Sequence, residues 1–457
     1  MTAQTILPAN TLSSGGYAVD NSVRLDGYAS STRMEATNSS AGSRQIFTFS
    51  TWLKRSALDS STNFQVLYSA VNSGGNERIM FEEDKLTWDF DIAGVDYSVE
   101  TSGRLYRDFS AWYHIVVTKD TTQSTEANRI KMYVNGVQQT LAEIQLGFPD
   151  QNANGSINMA IEHQLFAQAD GEEFGGYACE TVLIDGTAYA ADSFGEFDSD
   201  SGIWVPIDVS GLTFGTNGFH MNYADSSALG NDVSGNNNDY TTANLAAVDQ
   251  STDTCTNNFA TLNPLIFESS GITFAEGALK VTGGGSDSWT THYGLSTIAV
   301  STGKWFVESK VTTVQDAQAI LGLISTSKTI GSSLKDNGVA AVEKSGRITG
   351  GGNNIQTSLT AFSNNDIAGL AFDATNGTAQ FYRNGSAYGN AVSSIASDTY
   401  YFATTTYEAG GVVVFNFGSP AYTESGGNSD ANGYGNFSMA VPSGYFALNT
   451  KNLAEYG

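Results

Sequence analysis

Lys131-Met132-Tyr133-Val134-Asn135-Gly136-Val137 is a short, largely apolar strand that runs into an Asn-Gly pair. Asn-Gly supplies the two positive-φ positions of a type I′ turn, whose twist matches antiparallel strands, and is the strongest short-range hairpin signal. Far along the chain, Gln380-Phe381-Tyr382-Arg383-Asn384-Gly385 repeats that design. Upstream, Tyr113-His114-Ile115-Val116-Val117-Thr118 is β-branched and buried in character. In Phe47-Thr48-Phe49-Ser50-Thr51-Trp52-Leu53 apolar and small polar residues alternate, as on a half-buried strand. Asn154-Gly155, Asn217-Gly218, Asn337-Gly338 and Asn376-Gly377 mark further turns. No window longer than a few turns shows capped 3.6-residue periodicity. The predicted fold is all-β.

The organisation follows from the same signals. Residues 1–16 are rich in Thr, Ser, Ala and Asn and weakly patterned, so they read as an N-terminal arm. A first block spans residues 17–262, a linker residues 263–271, and a second block residues 272–457, where fresh strand patterns begin at Ile272-Thr273-Phe274. Each block holds many short strands and turn signals, which is how antiparallel β-sandwiches read.

Composition removes several functions. The 457 residues include 21 Lys and Arg against 47 Asp and Glu, a formal net charge of −26. That charge repels phosphate backbones and anionic lipid surfaces, so neither nucleic acid nor membrane insertion is expected. The apolar runs fall far short of the ~20 residues needed to span a bilayer, and the N-terminus lacks a secretory pattern. Aromatic residues, 11% of the chain, suffice for sizeable cores. Cys179 and Cys255 are too few for a disulfide framework or a four-ligand zinc site. Buried thiols made in a reducing cytoplasm are expected, and whether the two pair is left open. His114, His163, His220 and His292 are scattered, with no His-x-x-x-His pair.

Two stretches of the first block, Phe49-Ser50-Thr51-Trp52-Leu53-Lys54 and Trp112–Thr118 with Met132–Gly136, resemble concanavalin A-like domains of the laminin G and pentraxin type. Phe174-Gly175-Gly176-Tyr177, Val182–Gly186, Ser193–Phe197, Gly215–Phe219 and Thr256–Pro264 are similar to a module of bacteriophage fibre proteins. The second block resembles a SPRY-like sandwich through Gly303–Glu308, Asp366–Asp373, Phe381–Gly385, Phe415–Gly418 and Gly444–Leu453. These resemblances imply a virion surface or tail-fibre protein with lectin-like domains, assembled in the host cytoplasm and homo-oligomeric, with a trimer favoured. The implied partners are a host-surface glycan and other virion proteins, the latter through the N-terminal region. The alternative is a structural component that links or caps other viral chains.

Three chemistries compete for the site. Glu196-Phe197-Asp198-Ser199-Asp200 is similar to the Glu-x-Asp-x-Glu strand of laminarinase-type glucanases, where alternation puts the carboxyls on one face. Here Ser201-Gly202 follows at once, so the segment reads as a solvated turn and no enzyme is expected. Asp170-Gly171-Glu172-Glu173-Phe174-Gly175-Gly176 resembles the acidic calcium loop of pentraxins, which implies Asp170 and Glu172 as Ca²⁺ ligands. Asn76 would join them, although Gly75 stands where that family carries an Asp. No cofactor is otherwise required. Sugars stack on exposed aromatic rings. Trp52, Trp112 and Trp305 sit in core patterns, whereas Trp88, flanked by Thr87 and Asp89, and Trp289 with Tyr293 have polar surroundings. Trp88, Trp289 and Tyr293 are therefore the expected carbohydrate platforms.

Overall fold

Asn135 (φ 48°) and Gly136 (φ 77°) form the left-handed corner of a two-residue hairpin, and Asn384 (φ 49°) with Gly385 (φ 84°) forms its counterpart. The computed structural model describes residues 16–27, 31–58, 64–72, 75–92, 94–168, 172–265, 272–284, 293–313, 319–328, 333–406, 409–424 and 426–457. The chain divides into two compact units, Asn10–Thr256 and Asn257–Gly457 with Met1–Ala9. The expected arm lies outside the described residues apart from Gly16, as do residues 266–271 of the expected linker.

In the first unit the strands are β1 (Ser22–Asp26), β2 (Arg33–Thr37), β3 (Ile46–Arg55), β4 (Gln65–Asn72), β5 (Gly75–Glu82), β6 (Lys85–Ile92), β7 (Val95–Thr101), β8 (Tyr113–Asp120), β9 (Ile130–Val134), β10 (Val137–Gln138), β11 (Leu141–Gln145), β12 (Glu162–Leu165), β13 (Gly175–Asp185), β14 (Gly195–Phe197), β15 (Trp204–Pro206), β16 (Phe219–Met221), β17 (Thr241–Ala243) and β18 (Gln250–Ser251). Among the described residues sixteen of them build two eight-stranded antiparallel sheets, and β14 pairs with β15 in a separate two-stranded sheet. One runs β10-β9-β8-β3-β13-β1-β18, with β16 on β13; the other runs β11-β7-β6-β5-β4-β12-β2-β17. Inward side chains of both sheets share one core, in which Phe49 of β3 stacks on Tyr68 of β4 with centroids 5.3 Å apart.

The first sheet is covered on its other face as well. Trp52, Val116, Cys179 and Val182 pack there against Phe194, Trp204, Phe214 and Cys255. Strand β3 is thus buried on both faces, not half-buried as its alternation suggested. Its small polar residues tolerate this because each finds a partner: Thr48 Oγ1 donates to the Thr187 carbonyl (2.9 Å) and Ser50 Oγ bonds His114 (2.9 Å).

In the second unit the strands are β19 (Ile272–Ala275), β20 (Lys280–Gly283), β21 (Tyr293–Val300), β22 (Lys304–Thr313), β23 (Ala319–Ser325), β24 (Ala340–Glu343), β25 (Arg347–Gly350), β26 (Asn353–Gln356), β27 (Ile367–Asp373), β28 (Thr378–Arg383), β29 (Ser386–Ala387), β30 (Tyr400–Thr405), β31 (Val412–Asn416) and β32 (Phe446–Ala447). The described strands form a sheet ordered β19-β20-β31-β22-β27-β28-β29, with β32 on β22, and a second ordered β21-β30-β23-β24-β25-β26. The unit begins earlier than the pattern suggested. Phe259 and Leu262 are buried, and the Ala260 and Leu262 amides donate to the Leu448 and Ala278 carbonyls, both at 3.0 Å. Among the described residues of this unit two short α-helices occur, α1 (Leu334–Asn337) and α2 (Thr450–Tyr456). The Asn449 side chain caps α2 by accepting from the Asn452 amide.

Candidate binding face

Alternation along the second sheet of the first unit turns Ile79, Trp88, Phe90, Tyr97, Val99 and Leu165 into the core, so their neighbours point away from it. Register then aligns those neighbours. One row runs Thr241–Glu35–Gln164–Ser69–Arg78–Asp89–Ser98–Ile144 across all eight strands. The adjacent row holds Asn76, Asp91 and Asp96, again directly opposite one another. Arg78 is the hub. Its Nε and Nη2 donate to Asp89 Oδ2 at 2.9 and 2.6 Å, its Nη1 reaches Glu172 Oε2 at 3.2 Å, and its plane lies over Phe64.

The other cations of the face are engaged as well: Arg33 with Glu35 (3.0 Å) and Lys85 with Glu100 (2.8 Å). Acid is therefore in excess. Burial, the charge of Asp89 and a hydrogen bond to it, and the charge of Asp91 push the Asp96 carboxyl up to about 6. Several acceptors on this face have no donor among the described residues: Asn76 Oδ1, Asp96 Oδ1 and Gln164 Oε1 are buried without a hydrogen bond. A buried acceptor left unmade costs roughly 1–3 kcal/mol, and a donor-rich ligand would reach these atoms only after the side chains turn outward.

The expected platforms are placed elsewhere. Trp88 is completely buried, its Nε1 donating to Glu77 Oε1 at 3.2 Å, and is not a surface ring. Its polar flanks, Thr87 and Asp89, are what alternation gives an inward residue of a one-sided sheet. Tyr293 opens β21 at 2% exposure, packed with Leu295, Leu334 and Ala341, and burial pushes its phenol up. It too is core, because the outer face of that sheet is covered. Trp289 and Asp170 lie outside the described residues. The other calcium candidates are held apart in role: Asn76 points out from β5, whereas the Glu172 carboxylate is taken by the Arg78 guanidinium. For the Glu172 carboxylate to ligate a divalent ion, the Arg78 guanidinium would first have to be displaced from it. No group of three or more His, Cys, Asp or Glu is placed to hold a metal among the described residues.

Acid–base candidates resolve similarly. Asp198 Oδ1 accepts from the Asp200 and Ser201 amides (3.2 and 2.8 Å) and from Ser201 Oγ (2.7 Å), so it caps a turn beside the exposed Glu196. The Ser50–His114 contact resembles a nucleophile–base pair, but Trp204 Nε1 donates to His114 Nδ1 at 3.0 Å. The imidazole proton therefore sits on Nε2 and is given to Ser50, which leaves no base facing the hydroxyl. Burial lowers this imidazole to about 3. Asp232, the other loop acid, accepts from the His220, Ser234 and Asn238 amides and is filled by its own surroundings.

Residues 26–177, less than half of the chain, match the family described as the concanavalin A-like lectin/glucanases superfamily, in its Laminin_G_3 form. No curated protein sequence matches. Among solved structures, the mouse laminin α1 LG4-5 domains align at 11% identity with a TM-score of 0.30, covering 91% of this chain and 92% of that one. The SPRY domain of human HERC1 aligns at 18% identity and 0.29, covering 34% and 96%. A heptameric SAP-like pentraxin from Limulus polyphemus aligns at 14% and 0.27, covering 38% and 78%. The architecture is tandem antiparallel β-sandwiches, the first of a lectin-like kind.

Proposed function

We propose that the first unit binds glycans, without chemistry, through the outward face of its second sheet, and that the chain is a bacteriophage fibre or virion surface protein adhering to host cells. The observation that carries the glycan reading is the aligned row of polar side chains on that face. The cations of the face are already committed to ion pairs, and Asn76, Asp96 and Gln164 each keep a donor-less oxygen that a side-chain rotation would bring to a ligand. Sugar hydroxyls supply donors without adding negative charge. Polysaccharides bearing carboxylates or sulfates are repelled by the same face. Each contact is weak, and repetition in a trimer on a particle converts weak contacts into avidity. Residues 1–16 are the proposed attachment to other virion proteins.

The test is a pull-down of labelled full-length protein on host cells, alongside the variant Asn76→Ala/Gln164→Ala. Saturable binding, lost after periodate oxidation of the cells and weakened at least about tenfold in the variant, about 1.4 kcal/mol, is the expected result. Binding that survives both treatments removes the glycan reading. Sensitivity to EDTA would assign an ion to the loop containing Asp170. A second reading, a component that joins viral chains, draws on Val95 and Leu146, which are apolar and exposed (38% and 63%) at one edge of the same sheet. Particles that lack the protein and fail to assemble would favour it.

A further inference from the structure

We propose that Cys179 and Cys255 close to a disulfide when the chain folds under oxidising conditions, so that the first unit carries a covalent staple beneath its covered sheet. The two Sγ atoms lie 3.7 Å apart, in direct contact, across 76 residues of chain. A bond requires ~2.05 Å, a gap that small rotations of two side chains bridge. Cys179 stands on β13 immediately before its bulge, where Glu180 adopts φ 48° and register shifts between Cys179 and Val182.

Cys255 belongs to the last segment of the first unit, and its neighbours already hold that segment down. Asp253 pairs with the buried Lys54 at 2.8 Å, and Thr254 and Thr256 both donate to the Val19 carbonyl, at 2.8 and 2.9 Å. The staple would tie this segment to the central strand and keep it from peeling away as the unit opens.

The chemistry balances with a small-molecule disulfide as oxidant. One thiolate attacks it and releases a thiol; the second displaces the other half, forming the Cys179–Cys255 bond. Two electrons and two protons leave with the two small thiols. Both side chains are wholly inaccessible in the folded unit, and burial pushes the Cys255 thiol up, so the folded pair reacts slowly. The bond forms during folding, before the segment seats.

Full-length protein refolded in oxidised glutathione, then unfolded and alkylated, should be lighter by two hydrogens and carry no alkyl group. The folded, reduced protein in the same buffer should convert at least about tenfold more slowly. The oxidised form should melt several degrees higher, and reductant should abolish the difference. Two alkyl groups after oxidative refolding, or a glutathione adduct on either cysteine, would overturn the proposal. Cys255→Ala should remove the melting difference; if that variant does not fold, the mass of the unaltered chain still decides.

Discussion

Glu77 and Lys119 are completely buried between the sheets of the first unit, with Nζ 2.6 Å from Oε1. The same carboxylate accepts from the Trp88 indole (3.2 Å) and the Ile157 amide (2.9 Å). Removing one member strands the other charge, so Glu77→Ala should cost about 3–5 kcal/mol in urea unfolding, and Glu77→Leu/Lys119→Met should recover much of it. In the second unit Glu308 accepts from the Met439 and Ser438 amides and from Asn416 Nδ2 at 2.8, 3.0 and 3.1 Å. Burial nevertheless raises its carboxyl to about 7. The folded state then holds its proton more tightly than the unfolded chain, so its contribution is complete below about 4.5 and is lost as pH rises towards 7. The loss is on the order of 3 kcal/mol. Denaturation midpoints of the second unit should fall across that range, and Glu308→Gln should flatten the profile. Neither buried acid was legible beforehand, since an acid on an alternating strand looks the same whichever face it joins.

The two Asn-Gly hairpins separate what a turn needs from what packing adds. Both glycines have positive φ, but a Cβ on Gly136 would lie 2.3 Å from Trp204, whereas Gly385 meets nothing nearer than Met439 at 4.0 Å. Gly385→Ala should cost roughly 1 kcal/mol for the backbone alone. Gly136→Ala should cost clearly more and alter Trp204 fluorescence; equal losses would mean that the indole moves aside freely. Strand existence and these corners were readable because turn chemistry is local. The double burial of β3 was not, because the segment covering it, from Ala191 to Phe214, lies far along the chain.

Across the whole chain, the two cores are built by separate stretches that meet between Thr256 and Asn257. A fragment starting at Asn257 should fold, whereas one starting at Asn263 should lose several kcal/mol, since Phe259 and Leu262 are buried and cost about 2–5 kcal/mol each when removed. Thermal unfolding of both fragments checks this; equal midpoints would return the boundary to the polar linker. Sequence pattern placed it later because Asn257–Leu262 contains no strand longer than a bridge, and its partners, Ala278, Thr297 and Leu448, come from distant elements.

Periodicity, turn residues and charge are properties of neighbours along the chain, and they suffice for an all-β protein of tandem sandwiches with an acidic surface. Which polar residues face water, which aromatics vanish into the core and which oxygens lack donors depend on register and on what covers each sheet. Trp88 illustrates the division. Its alternating flanks are written in the sequence, but the partner sheet that buries the ring, and the row of Arg78, Asp89 and Gln164 left facing outward, exist only once eight strands have paired. Burial is a sum over contacts distant in sequence, and no local pattern contains that sum.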